Sequence, residues 1–116
     1  MTFDIEIVLR ERDYAVTETV SHEISAPEWT ELDVEAVLKQ ILLAIDRVRN
    51  PASDERYVAL RGFSWIVEPF EGGVIIALEI PSGAAVAGPF DIEQARLDGL
   101  ITRVLAAARP NPPVVH

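Results

Sequence analysis

Two stretches of the chain follow the same order: two strand-like segments joined by a turn, then one with apolar residues every three or four positions. The strand-like segments alternate apolar and polar residues in the first stretch and are mostly apolar in the second. Period-two alternation is typical of β-strands with one buried face, and the longer period is typical of amphipathic helices. An apolar sheet face and an apolar helix stripe each need a cover. We therefore expect an α+β fold in which an antiparallel sheet of four to five strands carries two helices on one face, in the order ββα-ββα.

The first stretch predicts a hairpin over residues 3–25 and a long helix. The segment "FDIEIVLR" alternates strictly from Phe3, "ERD" supplies a turn, and "YAVTETVSHEIS" returns with the same alternation. The helix is expected to begin after Asp33 or after Thr30, since both are good N-cap residues, and to end before Pro51. Leu43 lies on the polar side of this helix, which makes it a candidate interface residue.

The second stretch starts with "SWIVEPFEGGVIIALEI", residues 64–80, which predicts a hairpin turning at Gly72-Gly73. "PSGAAVAGP" is read as a loop, and Asp91 is expected to cap the last helix with Gln94 completing a capping box. Residues 53–61 fit a short helix or a strand, and the helix is favoured. One domain over residues 1–108 is expected, followed by a flexible proline-rich tail, 109–116.

Strand parity assigns the second hairpin two different faces. One face is wholly apolar and belongs under the helices; its residues are Trp65, Val67, Ile76, Leu78 and Ile80. The other face mixes two carboxylates with exposed apolar residues; it holds Ile66, Glu68, Phe70, Ile75, Ala77 and Glu79. Contiguous apolar surface on an uncovered face is typical of an interface. We therefore take Ile66, Phe70, Ile75 and Ala77 as interface candidates.

The charge of the chain is negative and unevenly spread. The 116 residues carry 19 acids and 10 bases, a formal charge of −9, and nine of the bases are arginine. No Lys or Arg occurs between Asp13 and Leu38, which include seven acids, or between Gly62 and Ala95, which include five. Such a field repels phosphate backbones and attracts basic partners, so nucleic-acid binding is not expected.

Composition also limits the chemistry and the location. Apolar residues make up 49% of the chain, enough for a core, and there is no cysteine. Thiol catalysis, disulfides and thiolate metal sites are thereby excluded, and a reducing cytoplasm is favoured. The charged N-terminal segment predicts neither a signal peptide nor a membrane span. No phosphate-binding glycine loop is present, so no cofactor is expected.

Three side chains are candidates for chemistry, each with a simpler alternative. A Gly72-Gly73 turn makes Glu68 and Glu79 diagonal neighbours, a spacing suited to general acid/base work or to a hard cation, or simply to the polar border of a contact surface. His22 is the only histidine before the C-terminal residue, so it has no partner for a metal site. It is expected to be a hydrogen-bonded strand-end residue rather than a general base.

Trp29, between hairpin and helix, is read either as a cover of the core or as an anchor for a partner.

Three functions follow from the sequence. The first is an acidic protein-interaction module, homodimeric or binding a basic protein. The second is a ligand-binding protein or enzyme using the face of Glu68 and Glu79. The third is a regulatory or structural subunit of a larger assembly.

Overall fold

The strict alternation at the N-terminus forms the first hairpin. The computed structural model describes residues 1–108, so the predicted tail, 109–116, lies outside the described residues. Strands β1 (Thr2–Leu9) and β2 (Ala15–Ser21) pair antiparallel, with Ile5 opposite Glu18. The odd-numbered apolar residues of β1 are buried and its even-numbered residues are exposed, as the pattern predicts.

The long helix begins at the earlier of the two predicted caps. A short 3₁₀ turn (Ala26–Glu28) precedes α1 (Glu31–Arg49), and the Asp33 carboxylate accepts hydrogen bonds from the backbone N–H and the hydroxyl of Thr30. Asp33 thus completes the first turn instead of preceding it. The helix ends before Pro51, as predicted. Residues 53–61, which the sequence favoured as a short helix, form neither helix nor strand.

The second hairpin forms with its faces as predicted and its register shifted by two residues. Strands β3 (Ser64–Phe70) and β4 (Gly73–Ile80) are joined by Glu71 and Gly72, both at positive φ (48° and 82°), which a tight two-residue turn requires. The prediction that Gly72-Gly73 forms the turn is therefore wrong. A shift of two preserves which side chains share a face, because side chains alternate with period two.

The segment predicted as a loop is the central strand of the sheet. Residues Gly83–Phe90 form β5, which pairs antiparallel with both β1 and β4 and gives the strand order β2-β1-β5-β4-β3. The element order is therefore ββα-βββα, not ββα-ββα. The many small residues of β5 have low strand propensity, so the sequence does not predict a strand here. Pairing on both sides and burial of Ala85, Ala87 and Phe90 stabilise it.

Helix α2 (Gln94–Ala108) starts three residues after the predicted cap, Asp91. The side chain of Gln94 instead donates to the backbone carbonyl of Val67. Both helices pack on one sheet face, the inner face, and their apolar stripes close a single core with the buried residues of the strands. None of the helices within residues 1–108 is long and apolar enough to cross a membrane.

Candidate functional site

The sheet face opposite the helices, here called the outer face, has no covering layer within residues 1–108. Three neighbouring strands, β5, β4 and β3, present apolar side chains on it. They are Ala84, Val86, Ile75, Ala77, Ile66 and Phe70, with Val8 of β1 beside them. Ile66, Phe70 and Val86 are 51%, 48% and 40% exposed. The predicted face assignment is thus confirmed, and the apolar surface is contiguous across three strands.

A shallow hollow of about 240 Å³ lies on this face, toward the end at which β3 and β5 begin. Its floor is formed where two alanines, Ala77 and Ala84, stand on neighbouring strands. Ile66 and Val86 flank the floor, and Glu79 stands at the rim next to Ala84. Small residues between larger ones therefore shape a concave spot on an otherwise flat surface.

The charged residues that strands present on the outer face are all acids. They are Asp4, Glu6, Glu68 and Glu79, and Asp4 accepts a hydrogen bond from the hydroxyl of Thr19. Arg10, just after β1, borders a recess together with Glu79 but makes no ion pair with any acid of residues 1–108. The described ion pairs instead each involve a residue of α1: Arg47–Glu18, Lys39–Glu35, Arg49–Asp46, Arg56–Asp46, Arg103–Glu31 and His22–Asp33. Within the part of the chain that the structure describes, the carboxylates of the outer face thus have no cationic partner.

Glu68 and Glu79 do not form the predicted pair. Glu68 lies opposite Ile75, and Glu79 lies opposite Ser64 at the other end of the hairpin. The two positions are four residues apart along the sheet, about 13 Å at roughly 3.3 Å per residue. That distance is too long for two carboxylates to share a proton or a cation through direct contacts. The two glutamates therefore act as separate charges on one surface.

His22 and Trp29 both belong to the junction between β2 and α1. The Nε2 atom of His22 donates to the Asp33 carboxylate at 2.9 Å, and the rings of His22 and Trp29 meet edge to face. Trp29 is 0% exposed and its Nε1 donates to the carbonyl of Ile24. The candidate role of Trp29 as an interface anchor is therefore wrong, since a fully buried ring cannot contact a partner without unfolding. His22 is the hydrogen-bonded strand-end residue that the sequence favoured.

The carboxylate of Asp33 is held in its charged form. The hydrogen bond from the Thr30 backbone is the main cause that lowers the pKa of Asp33, followed by the hydrogen bond from His22. Burial acts to raise the pKa of Asp46, but hydrogen bonds from Arg56, Asn50 and Arg49 outweigh it and leave that pKa below its usual value. Both pKa shifts come from hydrogen bonds that hold the fold together: Asp33 links the start of α1 to His22, and Asp46 links the end of α1 to Arg56.

Leu43 lies on α1 and is half-buried, so it is separated from the outer face by the sheet itself. The interface candidates therefore divide: Ile66, Phe70, Ile75 and Ala77 share one surface, while Leu43 and Trp29 do not belong to it. The sequence missed Val8, Ala84 and Val86, of which the last two lie on the strand that was read as a loop. The only sequence signal for Ala84 and Val86 is the short alternation within "GAAVAGPF".

Both edges of the sheet are partly closed against further pairing. At one edge Gln94 donates to the carbonyl of Val67, and Pro69 in the same strand lacks an N–H. Near the other edge Gln40 of α1 donates to the carbonyl of Ser21. Edge strands blocked in this way are poor templates for strand addition. Pairing of a further strand is therefore hindered at these positions of the two edges.

Within residues 1–108 no group of three or more His, Asp or Glu side chains is placed to hold a metal ion. Comparisons of the chain with known protein families, with characterised proteins and with solved structures gave no match. The fold and the site together define an α+β protein with an open, acid-bordered sheet face.

Proposed function

We propose that this chain is an acidic protein-interaction module that binds a basic partner through its outer face. The observation that carries the proposal is that two features share one surface: exposed apolar residues centred on Ile66 and Val86, and carboxylates that pair with no base within residues 1–108. Buried apolar contact supplies affinity, and charges around it supply steering and specificity. A partner that presents apolar side chains between Lys or Arg residues complements both features.

The distribution of ion pairs supports a basic partner over other chemistry. Four acids of α1, Glu31, Asp33, Glu35 and Asp46, are paired with Arg or Lys or with His22. Glu6, Glu68 and Glu79 of the outer face, like Asp98 of α2, pair with no base of the described residues. A formal charge of −9 adds a long-range attraction for cationic surfaces. The same charge keeps nucleic acids and anionic lipid surfaces away.

A homodimer through the same face is the second candidate, favoured by the contiguous apolar surface of Ile66, Phe70 and Ile75. Two copies stacked by this face would place acids on acids, since each copy brings its own unpaired carboxylates. Such a dimer should therefore tighten as salt screens the repulsion. Binding of a basic partner should weaken with salt, because screening removes the attraction.

The other candidate functions take a narrower form. A ligand-binding or enzymatic role would have to use the hollow near Ala77, because Glu68 and Glu79 do not act together. A role as a regulatory or structural subunit of a larger assembly would use the same outer face, with the assembly supplying the basic surface. A reducing cytoplasm of a bacterial cell remains the proposed location, supported by the absence of cysteine from the sequence.

Selection from a random peptide display library tests the proposal and requires no named partner. The expected result is enrichment of peptides that combine Lys or Arg with large apolar residues. Their binding should be lost in Ile75→Arg and retained in Leu32→Arg, a matched change at an apolar residue of the helical layer that is 77% exposed. Peptides of neutral or negative charge, or binding that survives Ile75→Arg, would overturn the proposal.

A further inference from the structure

The hollow over Ala77 and Ala84 has the size of a subsite for one side chain. Its volume of about 240 Å³ lies below the roughly 300–1,000 Å³ of small-molecule pockets, and it is open to solvent. Interfaces concentrate binding energy where a large side chain fills such a concave spot and is shielded from water. The neighbouring recess that Arg10 and Glu79 border is lined mainly by residues of the loops beside the sheet, whereas the hollow lies on the apolar surface itself.

Glu79 gives this hollow a charged side. It lies directly opposite Ala84 on one flank and Ser64 on the other, and its carboxylate forms no ion pair with any described base. Glu68, the other glutamate of the hairpin, stands four positions away beside Ile75 and is not part of the hollow. An apolar side chain seated on the alanines would therefore have one acid within reach of a neighbouring cation.

We infer that the hollow is the anchor subsite of the outer face, taking one bulky apolar side chain whose neighbouring Lys or Arg pairs with Glu79. The inference rests on the proposed function and adds to it the local motif that a partner must present: a large apolar residue adjacent to a base. Ala77 and Ala84 define the size of the anchor, and Glu79 defines the sign of the adjacent charge.

Titration of the ¹⁵N-labelled protein with three blocked dipeptides tests the motif, using acetyl-Phe-Arg-amide as the probe and acetyl-Phe-Glu-amide and acetyl-Ala-Arg-amide as comparisons. With an affinity on the order of 1 mM, fast-exchange chemical shifts still report the site. The Phe-Arg probe should shift the amides of Ala77, Glu79 and Ala84 and bind at least about tenfold tighter than either comparison. Equal binding of the acidic dipeptide, shifts located elsewhere, or no saturable shift would overturn the inference.

Two glutamates on one face provide a matched pair of variants. Glu79→Gln should weaken the Phe-Arg probe by about two- to fivefold at low salt, the range expected for an exposed ion pair, while Glu68→Gln should leave it unchanged. Ala84→Leu fills the hollow and should abolish the shifts, with an otherwise preserved spectrum showing that the fold is intact. If Ala84→Leu does not fold, the two glutamate variants still test the subsite. Equal weakening of the Phe-Arg probe by Glu79→Gln and Glu68→Gln would contradict it.

The outcomes also separate this inference from the proposed function. Library peptides that are basic and depend on Ile75, together with a dipeptide that ignores the hollow, would leave the interaction module standing and remove only the anchor subsite. A dipeptide that fills the hollow, together with library peptides whose binding does not depend on Ile75, would leave the subsite standing and remove the interaction module.

Discussion

Ile75 and Ile76 are consecutive residues of β4 that lie on opposite sides of the sheet. Ile76 is 0% exposed beneath the helices, whereas Ile75 is half-buried on the outer face between Phe70 and Ala77. Because they share chemistry, strand and sequence environment, they separate the requirements of folding from those of binding better than any other pair of the chain.

Ile76→Arg should destabilise the fold by about 4 kcal/mol or more, because it places an unpaired charge in the core. Ile75→Arg should change the free energy of unfolding by no more than about 1 kcal/mol, since the guanidinium reaches water. Urea unfolding followed by circular dichroism measures both. Similar losses in the two variants would show that the face assignment is wrong.

Salt dependence distinguishes the two candidate partners. Binding of a selected basic peptide should weaken when NaCl is raised from about 0.1 to about 1 M, a change that shortens the screening length from about 10 Å to about 3 Å. Fluorescence anisotropy of the labelled peptide measures the affinity, and light scattering of the protein alone measures its mass. A dimer that becomes more populated at high salt, with no peptide binding, would support the homodimer instead.

Trp29→Ala should destabilise the protein by about 3–5 kcal/mol, as expected for loss of a large buried ring. Trp29→Phe keeps a ring against Phe90 but leaves the Ile24 carbonyl without its donor, and should cost about 1–2 kcal/mol. Thermal and urea unfolding measure the losses. Because the ring is buried, Trp29→Phe should bind peptides as the wild type does. A specific loss of binding in this variant at unchanged stability would restore the anchor role.

Stability should decline in acid through Asp33 and Asp46. Their folded pKa values lie below the unfolded value of 3.8, so their contribution is fully present above that pH and is lost as the pH falls through the folded values. The free energy of unfolding contributed by these groups should therefore stay constant from neutral pH down to about pH 5 and drop as the pH falls below the unfolded value toward the folded pKa values. The drop should be smaller in Asp33→Asn and smallest in the double variant Asp33→Asn/Asp46→Asn.

Glu11→Gln is the control for this pH dependence, since Glu11 forms no ion pair among the described residues. It should retain the full drop seen in the wild type. If Asp33→Asn also retained the full drop, the hydrogen bonds from Thr30 and His22 would not be stabilising the charged carboxylate in solution.

Strand parity could be predicted from the sequence, but strand register could not. Alternation in "SWIVEPF" and "VIIALEI" assigns each side chain to a face whatever turn joins them. The turn itself depends on which two residues adopt positive φ. Here they are Glu71 and Gly72, although the next pair, Gly72 and Gly73, consists of two glycines. A shift of two residues therefore preserved the apolar surface and removed the carboxylate pair.

The central strand could not be predicted because its signal is tertiary. Residues Gly83–Phe90 are mostly Ala and Gly, which have low strand propensity, and a proline near the end suggests a loop. Strand β5 lies between β1 and β4, where small residues fit best. At Gly83, for example, a Cβ would meet the backbone of Val8 and Leu9. The hollow formed with Ala84 was missed for the same reason.

Ion pairs between distant segments also lie beyond the sequence pattern. Glu18 and Arg47 meet across the contact of β2 with α1 at 2.7 Å, and Arg96 donates to the carbonyls of Pro27 and Trp29. These partners are 29 and more residues apart in sequence, so only the packed fold brings them together.

Chemical-shift mapping with the tightest library-selected peptide tests the central claim most directly. If the outer face binds a basic partner, the largest ¹⁵N–¹H shifts should follow Ile66, Ile75, Ala77 and Val86 across three neighbouring strands, and α1 should remain unchanged. Shifts concentrated around Leu32 and Leu43, with none along these strands, would contradict it.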